Sequence, residues 1–329
     1  MTITSTPPEV RPARRLVRTV LLGLLVLPGL AWALIRLFGA ERGWLVQLMA
    51  FTPYAAGWAV LAVVIALVAR KWLVAAVGTV AALLLAACVL PRALPDSGRG
   101  PATGVRLTVM TLNLYIGQAD PEAVVELVRE RDVAILAVQE FTAAAQNGLS
   151  AAGLDALLPY HALAPEGTTG SGLYSRFPLT APGSVRGEGG NLQSYASVQP
   201  PGAKSLVVES AHPLAPYAKS VLTDWRADLA AEPAADPDGS ARILLGDFNS
   251  TLDHAPVRAL IRRGYRDAAD AVGKGLLPTW GPYAGRPIPP VTLDHILVDR
   301  RIGVRRVAVE PVRLSDHRAV LATLTVPAS

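Results

Sequence analysis

The chain has 329 residues, 51% of them hydrophobic, with a mean hydropathy of +0.35 and a formal net charge of +5. That average is too apolar for a single soluble globule and too polar for a protein wholly embedded in a bilayer, so two regions with different solvents are expected. The charge divides in the same way: residues 1 to 90 hold eight Lys and Arg against two Asp and Glu, a surplus of six, whereas residues 91 to 329 hold 23 against 24, a deficit of one; the larger region lacks the basic excess that marks a protein tracking a nucleic-acid backbone.

Residues 1–16 read as a cytoplasmic tail. Three apolar runs follow, Val17 to Phe38, Trp44 to Ala69 and Trp72 to Leu90, each long enough to cross a hydrocarbon core at ~20 residues per helix. Arg36 can carry its charge from the end of the first run to the interface. Trp44 and Trp72 suit interface anchors, and Trp58 suits either an anchor or a place between helices. Arg11, Arg14, Arg15 and Arg18 lie at the start of the first run, and Arg70-Lys71 separate the second from the third. Positive charge stays cytoplasmic, so three crossings leave everything after Leu90 outside the cytoplasmic membrane. A second reading takes the first run as a cleaved signal peptide ending near Ala31-Trp32-Ala33, with the same final placement. The lone cysteine, Cys88, falls in the third run and reads as a small apolar side chain; no intrachain disulfide is available.

Residues 91–106, rich in Pro, Gly and small residues, read as a linker that holds the following domain within about 20–25 Å of the bilayer. Residues 107–329 read as one further domain, alternating strand-like and helix-like patterns. Strands are expected at Leu107 to Leu114, Val133 to Val138, Gly172 to Tyr174, Ser194 to Val198, Leu206 to Ser210, Arg242 to Leu245, His295 to Val298, Val304 to Val309 and Ala319 to Val326. Helices are expected at Pro121 to Arg131, Tyr217 to Ala231 and Ala255 to Arg263. The class is α+β around one core.

Polar residues cluster where these strands end. Asn113 closes Thr111-Leu112-Asn113, Glu140 closes Leu136-Ala137-Val138-Gln139-Glu140, and His212 follows Val207 to Ala211; Asp294 opens the strand containing His295, and Ser315-Asp316-His317 precedes the last strand. The sharpest case is Ile243-Leu244-Leu245-Gly246-Asp247-Phe248-Asn249-Ser250. In extended geometry residues i and i+2 share a face, so Asp247 and Asn249 can address one polar target such as a phosphate oxygen and its attacking water. The alternative for this stretch alone is a strand closed by an Asx turn.

In this order the motifs resemble the endonuclease/exonuclease/phosphatase superfamily over residues 107 to 327. The resemblance implies a four-layer α/β/β/α sandwich preceded here by three transmembrane helices, and metal-assisted hydrolysis of a phosphate ester or anhydride. It assigns Glu140 as the principal Mg²⁺ ligand, with Asn113 and Asp316 nearby and Mn²⁺ as an alternative metal. Asp247 would orient or deprotonate the water, Asn249 would donate to a phosphoryl oxygen, His317 would contact the phosphate while held by Asp294, and His212 would supply a second imidazole. Tyr115 stands where some nucleases of the family carry another acidic residue, which weakens the case for a second metal. His295, one residue along the strand from Asp294, should face the other way in a structural role. His254 should shape the site rim or cap a helix, and His161 should lie on the surface. Thr279-Trp280 recurs in the family near the site, although burial accounts for the Trp; Arg176 is open between a structural and a phosphate-facing role.

The architecture also looks like that of actinomycete membrane proteins of this superfamily associated with teicoplanin resistance. It implies a multi-pass membrane enzyme with an extracytoplasmic site, the bilayer and a membrane lipid or lipid phosphate as partners, and undecaprenyl pyrophosphate as the favoured substrate. A tethered extracellular nuclease or lipid phosphodiesterase is the alternative, with nucleic acid the less expected partner; a catalytically silent binding module is a third reading.

Overall fold

A computed structural model describes residues 10–96, 100–101, 103–282 and 287–329. Residues 1–9 of the expected tail and residues 97–99 and 102 of the expected linker lie outside the described residues. The chain divides into two compact units, residues 1–40 with 51–89, and residues 41–50 with 90–329.

The first four helices in chain order are α1 (Val10–Phe38), α2 (Leu45–Met49), α3 (Thr52–Val68) and α4 (Trp72–Val89). Helices α1, α3 and α4 make up the first unit. Arg15–Phe38 and Trp72–Ala93 are long and apolar enough to cross a bilayer, whereas α3, with 17 residues, is shorter. Small residues bring these helices together: a Cβ added at Gly29 would meet Ala59 at 3.3 Å, and one at Gly78 would meet Val63 at 3.0 Å and Val26 at 3.3 Å. Trp58 donates to the Leu25 carbonyl at 3.2 Å, so the indole N–H is spent between helices.

The second apolar run does not fold as the single span expected from Trp44. The helix stops after Met49 and restarts at Thr52, with Pro53 in the first turn, where its missing N–H costs no hydrogen bond. Val46 and Met49 are fully buried and belong to the second unit. Hydropathy does not distinguish an apolar segment destined for lipid from one destined for a protein core. The expected linker differs too. Leu90–Ala93 forms a 3₁₀ turn, Pro95 bridges Val272, and the Asp96 N–H bonds the Ala271 carbonyl, so residues 90–96 are anchored through their backbone, although mostly exposed.

Residues 105–329 form two six-stranded sheets. The first runs β11-β12-β1-β2-β4-β3, with β1 (Val105–Asn113), β2 (Val133–Gln139), β3 (Tyr160–Ala164), β4 (Ser171–Ser175), β11 (Gly303–Pro311) and β12 (Arg318–Val326). The second runs β5-β6-β7-β8-β10-β9, with β5 (Leu179–Arg186), β6 (Leu192–Val198), β7 (Leu206–Ala211), β8 (Ala241–Asp247), β9 (Tyr265–Asp267) and β10 (Asp294–Asp299). One parallel pair sits inside each sheet, β1 with β2 and β7 with β8, joined through α5 (Pro121–Glu130) and α8 (Leu222–Ala231); the other pairs are antiparallel. Two short helices, α6 (Ala143–Ala151) and α7 (Leu154–Leu157), follow β2; α9 (Ala255–Arg262) follows β8, and α10 (Ala268–Ala271) follows β9.

Period-two alternation explains the layering. Val109, Ile135, Ala137, Ala196, Val208, Ile243, Leu245 and Ile296 meet between the sheets. Met110, Leu112, Leu136 and Val138 turn outward to α5, α6 and α7, and Leu244 and Leu297 turn outward to α8 and α9. The result is the expected four-layer sandwich. The alternation also aims the strand ends: Asn113 and Gln139 in one sheet, and Ser210, Asp247 and Asp294 in the other, fall in register with inward-facing core residues.

Candidate active site

Strand β8 ends in Gly246-Asp247, and the glycine is obligatory because a Cβ there would lie 1.8 Å from the Ala211 carbonyl oxygen. With β7 and β8 this close, Asp247 is 1% exposed between the sheets. The Asn113 Nδ2 donates both to Asp247 Oδ2 at 3.0 Å and to Glu140 Oε1 at 3.1 Å, so one carboxamide links two carboxylates across the sandwich. Just beneath, Gln139 Nε2 donates to Ser210 Oγ at 2.9 Å and Thr111 Oγ1 donates to Gln139 Oε1 at 3.2 Å, closing the apolar core with a satisfied polar layer.

The turn after β8 departs from the extended geometry expected of it. Asn249 has φ +48°, and its backbone N–H donates to Asp247 Oδ1 at 2.8 Å, which is an Asx turn. The two readings of this stretch are therefore one: the turn orients the Asp247 carboxylate. The Asn249 side chain donates one of its two N–H groups to the Pro213 carbonyl at 3.0 Å and keeps the other. Glu140 and Tyr115 also have positive φ, +51° and +50°, and backbone of this kind persists where surrounding contacts over-determine it. Glu140 Oε2 accepts the Ile116 N–H at 2.7 Å.

On the opposite side, the His317 Nδ1 faces both oxygens of Asp294, at 2.9 and 3.1 Å, and its Nε2 lies 3.6 Å from Asp247 Oδ2. Asp247, Asp294 and His317 form a buried cluster whose ligand-type atoms lie within 4.8 Å of one another. Burial alone would lower the His317 pKa, but Asp294 and then Asp247 raise it to about 10, so a protonated imidazole sits between the two carboxylates. His212 goes the other way. Burial depresses it to about 4, against the pull of Asp247, and its Nδ1 is buried without a hydrogen-bond partner. Burial raises Glu140 and Asp247 above the usual carboxylate range, and Asp294 adds to the rise at Asp247 while His317 opposes it.

All eight site residues expected from sequence thus meet through hydrogen bonds or charge: Asn113, Glu140, His212, Asp247, Asn249, Asp294 and His317, with Asp316 acting on His317 by charge. Asn113 bridges the two carboxylates through its nitrogen, and its Oδ1 accepts the Tyr115 N–H at 2.9 Å. Asp316 accepts the Trp280 Nε1–H on Oδ2 at 3.1 Å, and its Oδ1 is buried with no partner among the described residues.

Several contributors carried little or no sequence signal. Thr279 Oγ1 accepts both the Leu293 and Asp294 N–H groups, fixing the start of β10. Ser315 Oγ donates to the Asn113 carbonyl at 2.8 Å, tying the Ser-Asp-His segment to β1. Gln193 Oε1 accepts the His212 N–H at 2.7 Å. A conjunction of Thr279-Trp280 with the last Asp-His was the available hint for the first of these. His295 takes its expected structural place on the outer face, between Asp267 and the Ser250 carbonyl. Arg176 pairs with Asp132 and the Val133 carbonyl, so its role is structural. His254 occupies the N-cap position of α9, yet its side chain turns inward to Thr251 and Val46 and caps nothing.

A family model described as the endonuclease/exonuclease/phosphatase family matches residues 110–317. Among solved structures, the fold is similar to an endonuclease/exonuclease/phosphatase from Beutenbergia cavernae (18% identity, 68% of this chain and 72% of that chain, TM-score 0.52). It is also similar to a family protein from Leptotrichia buccalis (14%, 66% and 99%, TM-score 0.51) and to a humanized D. rerio TDP2 (15%, 67% and 99%, TM-score 0.53). No curated protein matches the sequence.

Proposed function

This chain belongs to the endonuclease/exonuclease/phosphatase family, a family of phosphoester hydrolases, and from that premise we propose that it hydrolyses a lipid pyrophosphate, undecaprenyl pyrophosphate above all, outside the cytoplasmic membrane. One observation carries the membrane part of this reading. Residues 41–50 join α1 to α3 in sequence, yet they fold with the catalytic unit. The site is thus built onto chain that lies between apolar helices, which suits a substrate that never leaves the bilayer. With Arg15, Arg18, Arg70 and Lys71 inside, α1, α3 and α4 cross three times and the catalytic unit lies outside. At 17 residues, α3 spans about 25 Å, which a locally thinned bilayer accommodates.

The two imidazoles divide the work. His317, charged over the neutral range, donates from Nε2 to a phosphoryl oxygen and is kept in that orientation by Asp294. His212, neutral, offers an uncharged ring nitrogen to the same group. Asp247, made more basic by burial and aimed by the Asn249 N–H, takes a proton from the attacking water. The free Asn249 N–H donates to a second phosphoryl oxygen.

The donor set fits a hard divalent cation such as Mg²⁺: Glu140 supplies a carboxylate, and Asp316 Oδ1 is buried with no partner among the described residues. Glu140 and Asp316 would hold that ion, which supplies charge neutralisation at the phosphate.

The test is a panel of undecaprenyl pyrophosphate, sphingomyelin, nucleotides and DNA, all at matched Mg²⁺, with full-length protein in lipid. Release of inorganic phosphate from the lipid pyrophosphate, lost on chelation and in Asp247→Ala, is the expected result. An intact lipid pyrophosphate beside degraded DNA would replace this reading with a tethered nuclease.

A further inference from the structure

The loop that follows the catalytic turn is secured by residues that precede it by some two hundred positions. Helix α9 begins at Ala255, and its N-cap residue His254 provides no side-chain cap. Glu41 does so instead: its Oε1 accepts the Ala255 N–H at 2.6 Å, and its side chain is buried. The Glu41 carbonyl in turn accepts Arg226 Nη2 at 2.8 Å. His254 receives the Thr251 N–H on Nδ1 at 2.9 Å, so its Nε2 carries the proton and donates to the Val46 carbonyl at 2.9 Å. Val46 itself fills a cluster with Trp225, Phe248, Leu252 and Val257. Gln47 Nε2 donates to the Pro216 carbonyl at 2.9 Å, in the loop whose Pro213 carbonyl holds the Asn249 side chain. From the other end of the apolar helices, Arg92 makes a buried two-point contact with Asp253, at 2.6 and 2.8 Å.

Contacts within the sandwich also steady this region, His295 and Trp225 at Ser250 and Asp228 at Leu214, but both loops that flank Asn249 depend in addition on chain from outside it. The 251–255 segment is held by Glu41, Val46 and Arg92, and the 213–217 segment by Gln47. We propose that Glu41 and Gln47 are positioning residues of the hydrolytic site, which set the two loops flanking Asn249 and, through its N–H, the direction of the Asp247 carboxylate. The segment between α1 and α3 is then a working part of the active site and not only a connection. This inference rests on the hydrolase reading but not on the lipid substrate.

The experiment compares wild type, Glu41→Ala, Glu41→Gln and Gln47→Ala as full-length protein in phospholipid nanodiscs. Backbone amide exchange is measured first, without substrate. Faster exchange of Asn249 is expected in both alanine variants, with Ala255 exposed in Glu41→Ala alone. Turnover of bis(p-nitrophenyl) phosphate and of undecaprenyl pyrophosphate follows. A misplaced reacting group costs rate steeply, so Glu41→Ala should lower kcat about 10-fold with KM within about two-fold. Glu41→Gln keeps the acceptor oxygen and should recover most of that loss. Unchanged Asn249 exchange in both alanine variants would overturn the proposal, and so would a fall in melting temperature with kcat per folded molecule preserved. Should Glu41→Ala fail to fold, the Asn249 exchange in Gln47→Ala decides. If neither substrate is cleaved, the exchange result stands on its own and the functional reading fails alone.

Discussion

Strand β10 contributes to two histidine–aspartate pairs back to back, and they differ most in what the second imidazole nitrogen does. On its inner face Asp294 holds His317 at 2.9 Å, and on its outer face His295 holds Asp267 at 2.8 Å. All four side chains are buried. His295 spends its second nitrogen on the Ser250 carbonyl at 2.9 Å, whereas the second nitrogen of His317 stops 3.6 Å short of Asp247, beyond hydrogen-bond length. A carboxylate partner therefore does not make a histidine chemical; an uncommitted nitrogen does. The outer pair is a rivet for the loop after β8, and the inner pair is a donor waiting for an acceptor.

Substitutions on the two faces should separate sharply. Asp247→Ala or His317→Ala should lower kcat by about 10³-fold or more, with melting temperature held or raised as buried charge is relieved; steady-state kinetics beside calorimetry checks this, and a loss under ten-fold would erase the distinction. Asp294→Asn should cost about 10²-fold, because the ring loses both its fixed orientation and its charge. Across the strand, Asp267→Ala should cost about 3 kcal/mol of stability by leaving His295 buried without its counter-charge, while kcat of the folded fraction stays within a few-fold; chemical denaturation measures the first and active-site-normalised turnover the second.

The smallest effect concerns pH. Burial would lower the His295 pKa, but Asp267 outweighs it, so the folded-state value lies above the ordinary ~6.5. A raised imidazole pKa stabilises fully below the unfolded value, and that contribution is lost as pH rises through the folded value. The stability gap between wild type and His295→Gln should therefore be wider at pH 6 than at pH 9, and a gap of constant width would show that the outer pair is uncharged.

Much of this was legible in the sequence, for a physical reason. Period two in a strand fixes which side chains share a face, so the apolar alternation of Ile243 and Leu245 already aimed Asp247 between the sheets, and that of Ile296 separated Asp294 from His295. The edge strands β3, β5 and β9 were missed, because Leu179–Arg186 is mostly exposed with no apolar rhythm to read and Tyr160–Ala164 and Tyr265–Asp267 are only five and three residues long. The Asn249 turn was half legible: Gly-Asp-x-Asn signals both a turn and a site, and the two proved to be the same object. Gln193 was illegible as a site residue, and Thr279 and Ser315 were legible only as members of the Thr-Trp and Ser-Asp-His motifs, because all three act by long-range hydrogen bonds, which leave no local pattern. Val46 and Met49 were misassigned because hydropathy measures aversion to water and not the destination.

Those two residues bear on how the protein comes to exist. Val46 leaves the ribosome about two hundred residues ahead of Phe248 and Val257, the partners that bury it. The core beneath the site cannot close until nearly the whole chain has been made. A loop of this length is entropically cheap to extend but slow to close. During that interval the segment between α1 and α3 waits with an apolar face unmatched, and an arrest of synthesis before residue 257 would leave it so. Assembly of this enzyme is in this sense timed by its own C-terminal half.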